Sequence, residues 1–191
     1  MTGPQIIPEP ADHQADPFQI RQLGLKLIQR HDQVGPPLAV MDVLRRRPRQ
    51  PLAPHHRRVV GMKPVAAGVV PWGEDWASED AIALRSASTL AVAPELDNPV
   101  LLLDPLSPHI AAERAGVQID IAAIVRSYQA LAAQADAVVV EGAGGFHVPL
   151  TDTQTGADLA QALALPVVLV VGLRLGCLSH ALLTAEAIRA R

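Results

Sequence analysis

From residue 58 onward, the chain alternates short, wholly apolar runs with segments whose apolar residues recur at helical spacing. The apolar runs Arg58–Met62, Val100–Leu103, Asp136–Val140 and Pro166–Val171 predict strands. Strands that are apolar throughout and separated by helices are typical of a parallel sheet covered on both faces. The pattern therefore predicts an α/β fold in which helices flank a parallel sheet.

Helical patterns lie between and after these runs. Ser78 and Asp120 stand where N-cap residues are expected. The predicted helices are Ser78–Ala87, Asp120–Ala135, Ala157–Leu165 and a last one over His180–Arg189. The second of them has the clearest apolar stripe, formed by Ile121, Ile124, Val125, Tyr128 and Leu131.

Residues 1–58 differ in character from the rest and contain nine of the seventeen prolines. They carry nine Lys/Arg against five Asp/Glu, whereas residues 59–191 carry seven against fourteen. Pro17–Arg30 could form one short amphipathic helix. Elsewhere we expect a poorly ordered segment, with a basic interaction patch as the alternative reading of the arginine run. The sequence thus predicts an α/β domain over 59–191, preceded by an atypical Pro/Arg-rich segment.

Composition narrows the possible functions. The chain has 191 residues, of which 49% are apolar and only 3% aromatic, which predicts an aliphatic core. Its net charge of −3 gives no indication of nucleic-acid or membrane binding. The single cysteine, Cys177, is predicted to be a small buried apolar residue. The start of the sequence has no signal-peptide pattern, and we expect a cytoplasmic protein.

The stretch VVVEGAGGFHVPL, residues 138–150, carries the first chemical signal. Glu141 ends an apolar strand, and ligands of such sheets bind beyond the carboxyl ends of the strands. A carboxylate there suits magnesium bound to nucleotide phosphates. Gly142, Gly144 and Gly145 would allow the backbone to approach a ligand closely. The alternative from these residues alone is a tight turn in which Glu141 caps a nearby helix.

Four motifs in the chain extend this signal: GMKPVAAG, LSPHIAAE, VEGAGGF-x-VPL and LGC-x-SHALLT. Together they resemble the dethiobiotin synthetase family over residues 59–191. The resemblance implies a P-loop NTPase-like α/β fold, a homodimer, and an ATP-dependent cyclo-ligase of biotin biosynthesis. Such an enzyme converts 7,8-diaminopelargonate, carbon dioxide and ATP into dethiobiotin, by way of a carbamate and a phosphorylated carbamate.

The resemblance also assigns roles to particular residues. Lys63 falls at the position of the catalytic lysine, where an ammonium can stabilise phosphoryl charge. Asp80 and Glu141 match the magnesium carboxylates of the family. The backbone that lines nucleotide and substrate matches Gly142, Ala143, Gly144 and Gly145. From the residues alone, Lys63 could instead be a solvated side chain, and Asp80 an acid placed at a helix N-terminus.

Substrate contacts are implied more weakly. Ala67 stands where the family often has a hydroxyl residue near the substrate. Leu178 and Ser179 lie in the region that, from the partner subunit, receives the distant carboxylate of the substrate. For His109 and His147 we expect structural hydrogen bonds and no catalytic role.

The sequence also departs from the family pattern. It contains no Gly-Lys-Thr or Gly-Lys-Ser, and the family continues past the helix that ends near Arg191. We therefore expect a sheet that is incomplete at both ends and a severe loss of ATP turnover. Two explanations stay open: residues 1–58 are not the native start, or the chain is a divergent, inactive remnant that dimerises through residues 172–191. Other P-loop enzymes, such as amidotransferase synthetases or partition ATPases, lack this series of motifs.

Overall fold

The computed structural model describes residues 25–30 and 58–191. The strands are β1 Leu25–Arg30, β2 Val59–Met62, β3 Val65–Ala67, β4 Val70–Trp72, β5 Asp75–Ala77, β6 Val100–Leu102, β7 Ala137–Glu141 and β8 Val167–Leu169. The helices are α1 Glu79–Ala87, α2 Pro94–Asp97, α3 Pro108–Ala115, α4 Ile121–Ala132, α5 Gly156–Leu163 and α6 Cys177–Arg189. The predicted α/β architecture is confirmed, and every predicted strand or helix from residue 58 onward has a counterpart.

The main sheet has the order β2-β7-β1-β8. β2 and β7 are parallel, with Met62 opposite Val140, as the sequence predicts. β1 runs antiparallel to both β7 and β8, so the prediction of a wholly parallel sheet is wrong for this strand.

The helix predicted over Pro17–Arg30 is also wrong for its last six residues, which form β1. Hydrogen bonding to strands on both sides outweighs a short amphipathic pattern, because tertiary context regularly overrides local propensity. The first eight residues of that prediction lie outside the described ranges. The expectation of poor order for 1–58 stays a prediction.

Both faces of the β2–β7 pair are buried. Alternate side chains point to opposite faces of a strand. Val60 and Val138 belong to a large apolar cluster, whereas Val59 and Val139 belong to a smaller one. The predicted stripe of α4 packs into the large cluster, with Leu131 fully buried. The sheet is therefore covered on both sides where β2 and β7 lie.

The predicted helix caps are confirmed. The Ser78 hydroxyl accepts a hydrogen bond from the Ala81 amide at 3.1 Å, and the Asp120 carboxylate accepts one from Ala122 at 2.8 Å. Each satisfies an amide that has no partner within its helix. The first cap, two residues before Asp80, fixes where α1 begins.

Two predictions of burial are wrong. The run Pro166–Val171 reads as a buried strand, but all three residues of β8 are only partly buried. Cys177 is likewise partly exposed, because it opens α6, a helix with no fully buried residue. None of the helices in the described ranges combines the length and the apolar character of a membrane span.

Gly61 allows α1 to pack closely on β2. A Cβ atom at Gly61 would lie 2.8 Å from the Leu84 Cβ atom, which cannot move without shifting the helix. We expect Gly61→Ala to destabilise the fold by roughly 1–3 kcal/mol, as overpacking usually does. Thermal unfolding checks this, with Gly145→Ala as control because nothing lies within 4 Å of that Cβ position. Equal melting temperatures for the two variants would contradict the close packing.

Asp158 stabilises the start of α5 in a pH-dependent way. Hydrogen bonds from the Thr155 amide and hydroxyl, and from Arg191, lower the pKa of Asp158 from 3.8 to about 2. Its contribution to stability is therefore present above pH 3.8 and is lost as the pH falls through about 2. We expect the melting temperature of Asp158→Asn to lie below that of wild type at pH 5, and the gap to close toward pH 2. Asp152→Asn in the preceding loop is the control, and a gap independent of pH would refute this role.

Candidate active site

The candidate site lies where β2 and β7 end side by side. The two strands are parallel neighbours, so their carboxyl ends meet at the same edge of the sheet. Lys63 follows the last residue of β2, and Glu141 is the last residue of β7. The topology thus brings two residues that are 78 positions apart to one place.

Lys63 is the centre of the site. It is 3% exposed, although lysine is almost never buried unless it is paired. Its Nζ atom donates to the Gly142 carbonyl at 3.0 Å and lies 2.6 Å from Asp80 Oδ2. Glu141 Oε1 is 3.8 Å from the same nitrogen. The ammonium is therefore held between two carboxylates and one carbonyl, so the reading of Lys63 as a solvated side chain is wrong.

The two carboxylates come from different elements and differ in exposure. Asp80 is in the first turn of α1, and half of its side chain is open to solvent. Glu141 is only 15% exposed. The open side of the site is therefore the side next to Asp80.

Gly142, Ala143 and Gly145 line a narrow apolar cavity between β7 and α5, together with Pro64 and Val140. Gly144 has φ +60°, in the left-handed region that favours glycine, and a Cβ there would lie 3.3 Å from Val148. Gly144 therefore adopts the left-handed backbone that glycine permits, whereas Gly142 and Gly145 do not have positive φ.

The main chain of Lys63 is held by residues that sequence reasoning missed. The Lys63 amide donates to the Asp97 carbonyl at 2.7 Å, and the Asn98 side-chain amide donates to the Lys63 carbonyl at 2.7 Å. The Asp97 carboxylate pairs with Arg85 of α1. In the sequence these residues show only as a turn-like Asp-Asn-Pro segment, which gives no indication of burial or of a connection to Lys63.

Other predicted residues lie apart from this cluster. Ala67 ends β3, where it pairs with Leu102. Leu178 and Ser179 lie in the first turn of α6, and among the described residues no hydrogen bond or ion pair is recorded from them to Lys63, Asp80 or Glu141.

His109 and His147 make contacts with their sequence neighbours. His109 Nδ1 is hydrogen bonded to the Ser107 hydroxyl at 3.0 Å, as expected for a structural histidine. The His147 ring packs edge-on against Phe146.

The donor set limits which metal could bind. Asp80 and Glu141 supply carboxylate oxygens, the hard ligands that magnesium prefers. In the described part of the chain, no set of three or more His, Cys, Asp and Glu side chains is arranged to hold a metal ion. Two carboxylates with the remaining positions open are the usual protein contribution to magnesium bound to a phosphorylated substrate.

Comparison with known proteins defines the class. Residues 51–191 match the sequence model of a family described as an AAA domain, so the chain belongs to that family. The match confirms the P-loop-type α/β class predicted from the sequence. The chain is also similar to the ATP-dependent dethiobiotin synthetase BioD of Aromatoleum aromaticum, with 56% identity over 135 residues. This alignment covers 71% of the chain and spans 60% of the length of that relative, and it confirms the resemblance read from the motifs.

Proposed function

We propose that the protein catalyses the ATP-dependent ring closure of 7,8-diaminopelargonate with carbon dioxide to give dethiobiotin. The observation that carries the proposal is the buried Lys63 ammonium between Asp80 and Glu141, at the ligand-binding edge of the sheet. A buried lysine with two acidic partners beside a glycine turn suits phosphoryl transfer. The similarity to a protein named as a dethiobiotin synthetase supports this particular reaction.

In the proposed reaction, one amine of the substrate takes up carbon dioxide as a carbamate. A carbamate oxygen accepts the γ-phosphoryl group of ATP, and ADP leaves. The second amine attacks the carbonyl carbon of this mixed anhydride, phosphate departs, and the cyclic urea closes. Negative charge is present on the carbamate and on the phosphoryl oxygens during transfer, and the Lys63 ammonium is the cation that stabilises it. Because its main chain is held on both sides, little reorganisation is needed during reaction.

We assign magnesium to the carboxylates of Asp80 and Glu141. A bound magnesium ion neutralises phosphate charge and orients the nucleotide for transfer. The approach of both carboxylates to one point and the exposure of Asp80 support this assignment. The Lys63 nitrogen lies 2.6 Å from the Asp80 carboxylate and 3.8 Å from the Glu141 carboxylate. Its positive charge offsets the repulsion between these two groups.

The glycine turn is proposed to line the nucleotide and the substrate through its backbone. It follows Glu141 directly, and Gly142 already touches Lys63 through its carbonyl. We place Ala67, Leu178 and Ser179 on the substrate side, with the last two contributed by a second subunit. The cytoplasm as the location of the reaction remains a prediction.

The exposed leucines of α6 and the preceding loop support a homodimer. Leu178, Leu182 and Leu183 are each more than 60% exposed, and Leu173 and Leu175 are almost fully exposed. Several exposed leucines on one helix and its preceding loop are the kind of apolar surface that an interaction site offers. The same observation supports the second candidate function, a non-catalytic protein that dimerises without ATP turnover.

ADP release by the purified 191-residue chain, with ATP, magnesium, bicarbonate and diaminopelargonate, tests the proposal. We expect release that depends on diaminopelargonate and is slow compared with the Aromatoleum relative, because the chain contains no Gly-Lys-Ser/Thr motif. The product is identified as dethiobiotin by mass. Absence of both release and thermal stabilisation by magnesium and ATP, in a chain that is dimeric by sedimentation, would favour the non-catalytic candidate.

A further inference from the structure

We propose that Arg85, Asp97 and Asn98 form a clamp that fixes Lys63 relative to Asp80, and that these three are positioning residues for the reaction. The inference rests on the proposed function, because it assigns Lys63 and Asp80 to the reacting site. We assign none of the three residues to a contact with ATP, magnesium or diaminopelargonate. Their contacts instead connect the backbone of Lys63 to the helix that carries Asp80.

The clamp holds the main chain of Lys63 from both sides. The Lys63 amide donates to the Asp97 carbonyl, and the Asn98 side-chain amide donates to the Lys63 carbonyl, both at 2.7 Å. Asn98 also donates to the Val100 carbonyl at 3.2 Å. Pro64 further restricts Lys63 to an extended backbone. A lysine side chain is long and flexible, so fixing its root limits where its ammonium can reach.

The same segment holds α1. Arg85 Nε lies 2.8 Å from Asp97 Oδ2 and Arg85 Nη2 lies 2.6 Å from Asp97 Oδ1, a forked pair on a buried carboxylate. Arg85 lies five residues after Asp80 on the same helix. The carbonyl and the carboxylate of Asp97 therefore bind the two elements whose side chains meet at 2.6 Å in the site.

The clamp is separate from the contacts that attach α1 to the sheet. The Gly61 amide donates to the Ser88 hydroxyl at 2.9 Å, and the Val59 amide donates to the Thr89 hydroxyl at 2.8 Å. Those bonds, and the packing of Leu84 on Gly61, hold the carboxyl-terminal half of α1. Arg85 lies in this same half of α1, so loosening the clamp should free Lys63 while the helix stays on the sheet.

Exchange of the Lys63 ammonium protons with water tests this geometry without any need for turnover. The chain has only two lysines, Lys26 and Lys63, so ¹⁵N-lysine labelling gives two side-chain signals, and Lys63→Arg assigns the one of interest. A buried ammonium that is held by a carbonyl at 3.0 Å and a carboxylate at 2.6 Å exchanges slowly at low temperature. We expect Asn98→Asp and Asp97→Asn to accelerate its exchange at least about tenfold at fixed pH, while the native fold persists by circular dichroism.

Asp136→Asn is the matched control. It removes the carboxylate that accepts two hydrogen bonds from the Arg58 guanidinium, at the opposite end of β2 and β7. The proton exchange of Lys63 should therefore stay unchanged. Arg85→Lys keeps the charge but loses the fork, so it serves as the milder variant if Asp97→Asn does not fold. Wild-type exchange rates in the clamp variants would overturn the proposal. So would a Lys63 signal that already exchanges rapidly in the wild-type protein.

Turnover gives the second readout. We expect the clamp variants to lower kcat at least about tenfold with little change in KM for ATP, and Asp97→Glu to recover part of the loss because it keeps the charge facing Arg85. Equal losses in Asp136→Asn would indicate a general stability effect and refute positioning. If the wild-type chain shows no turnover, the proposed function fails on that result, whereas the proton exchange still decides whether the clamp exists.

Discussion

Lys63→Ala is expected to lower diaminopelargonate-dependent ADP release by roughly 10²–10³-fold, the usual cost of removing one preorganised group that stabilises transition-state charge. The lysine is buried and its ammonium already lies between Asp80 and Glu141, at the place where the phosphoryl charge would be stabilised. Initial rates at saturating ATP and magnesium measure the effect. The expected loss is large because the ammonium is already in position. It would need no movement of the main chain to stabilise the phosphoryl group.

The fold should survive this change. Asp80 is half exposed and can be hydrated once the ammonium is removed, so we expect the melting temperature to fall by a few degrees only. Arg58→Ala is the control, since it removes a cation paired with Asp136 at the opposite end of the same strand. Unchanged turnover in Lys63→Ala would show that the buried lysine has a structural role, and an equal loss in Arg58→Ala would show that the assay reports stability.

Much of the fold could be predicted because its signals are local. Ser78 and Asp120 cap their helices by contacts within three residues, and the stripe of α4 repeats at helical spacing. The apolar runs of β2 and β7 required no partner to be recognised as strands. By contrast, β1 is defined by its neighbours β7 and β8, which are more than 100 residues away in sequence. A six-residue pattern cannot contain that information.

The candidate site was likewise only partly predictable from the sequence. Glu141 and the glycine turn were visible because a carboxylate after a buried strand is unusual in any chain. Lys63 and Asp80 required the resemblance to a family, since a lysine before a proline and an acid at a helix start have ordinary explanations. The partners of Lys63 at the end of α2 were not visible at all, because hydrogen bonds to the main chain of Lys63 leave no mark on the sequence.

Glu141→Gln is expected to raise the magnesium concentration that gives half-maximal activity by at least about tenfold. Even residues that only support a metal ligand typically cost 10–100-fold in metal affinity when they are changed, and Glu141 is assigned as a ligand itself. The amide keeps the size of the side chain but removes its charge. Because Lys63 retains Asp80 at 2.6 Å and the Gly142 carbonyl at 3.0 Å, its position should persist. Magnesium titrations of ADP release at saturating ATP measure the effect.

Two comparisons decide what such a shift would mean. Glu79→Gln removes the same charge from the residue next to Asp80, on the exposed side of α1. If the magnesium effect requires a metal ligand and not only a nearby charge, this variant should leave the titration unchanged. Asp80→Asn should reproduce the shift, because both carboxylates approach the same point around Lys63 Nζ. A titration of Glu141→Gln identical to that of wild type would instead assign Glu141 to the neutralisation of the Lys63 ammonium, and magnesium would then be held on the protein side by Asp80 without it.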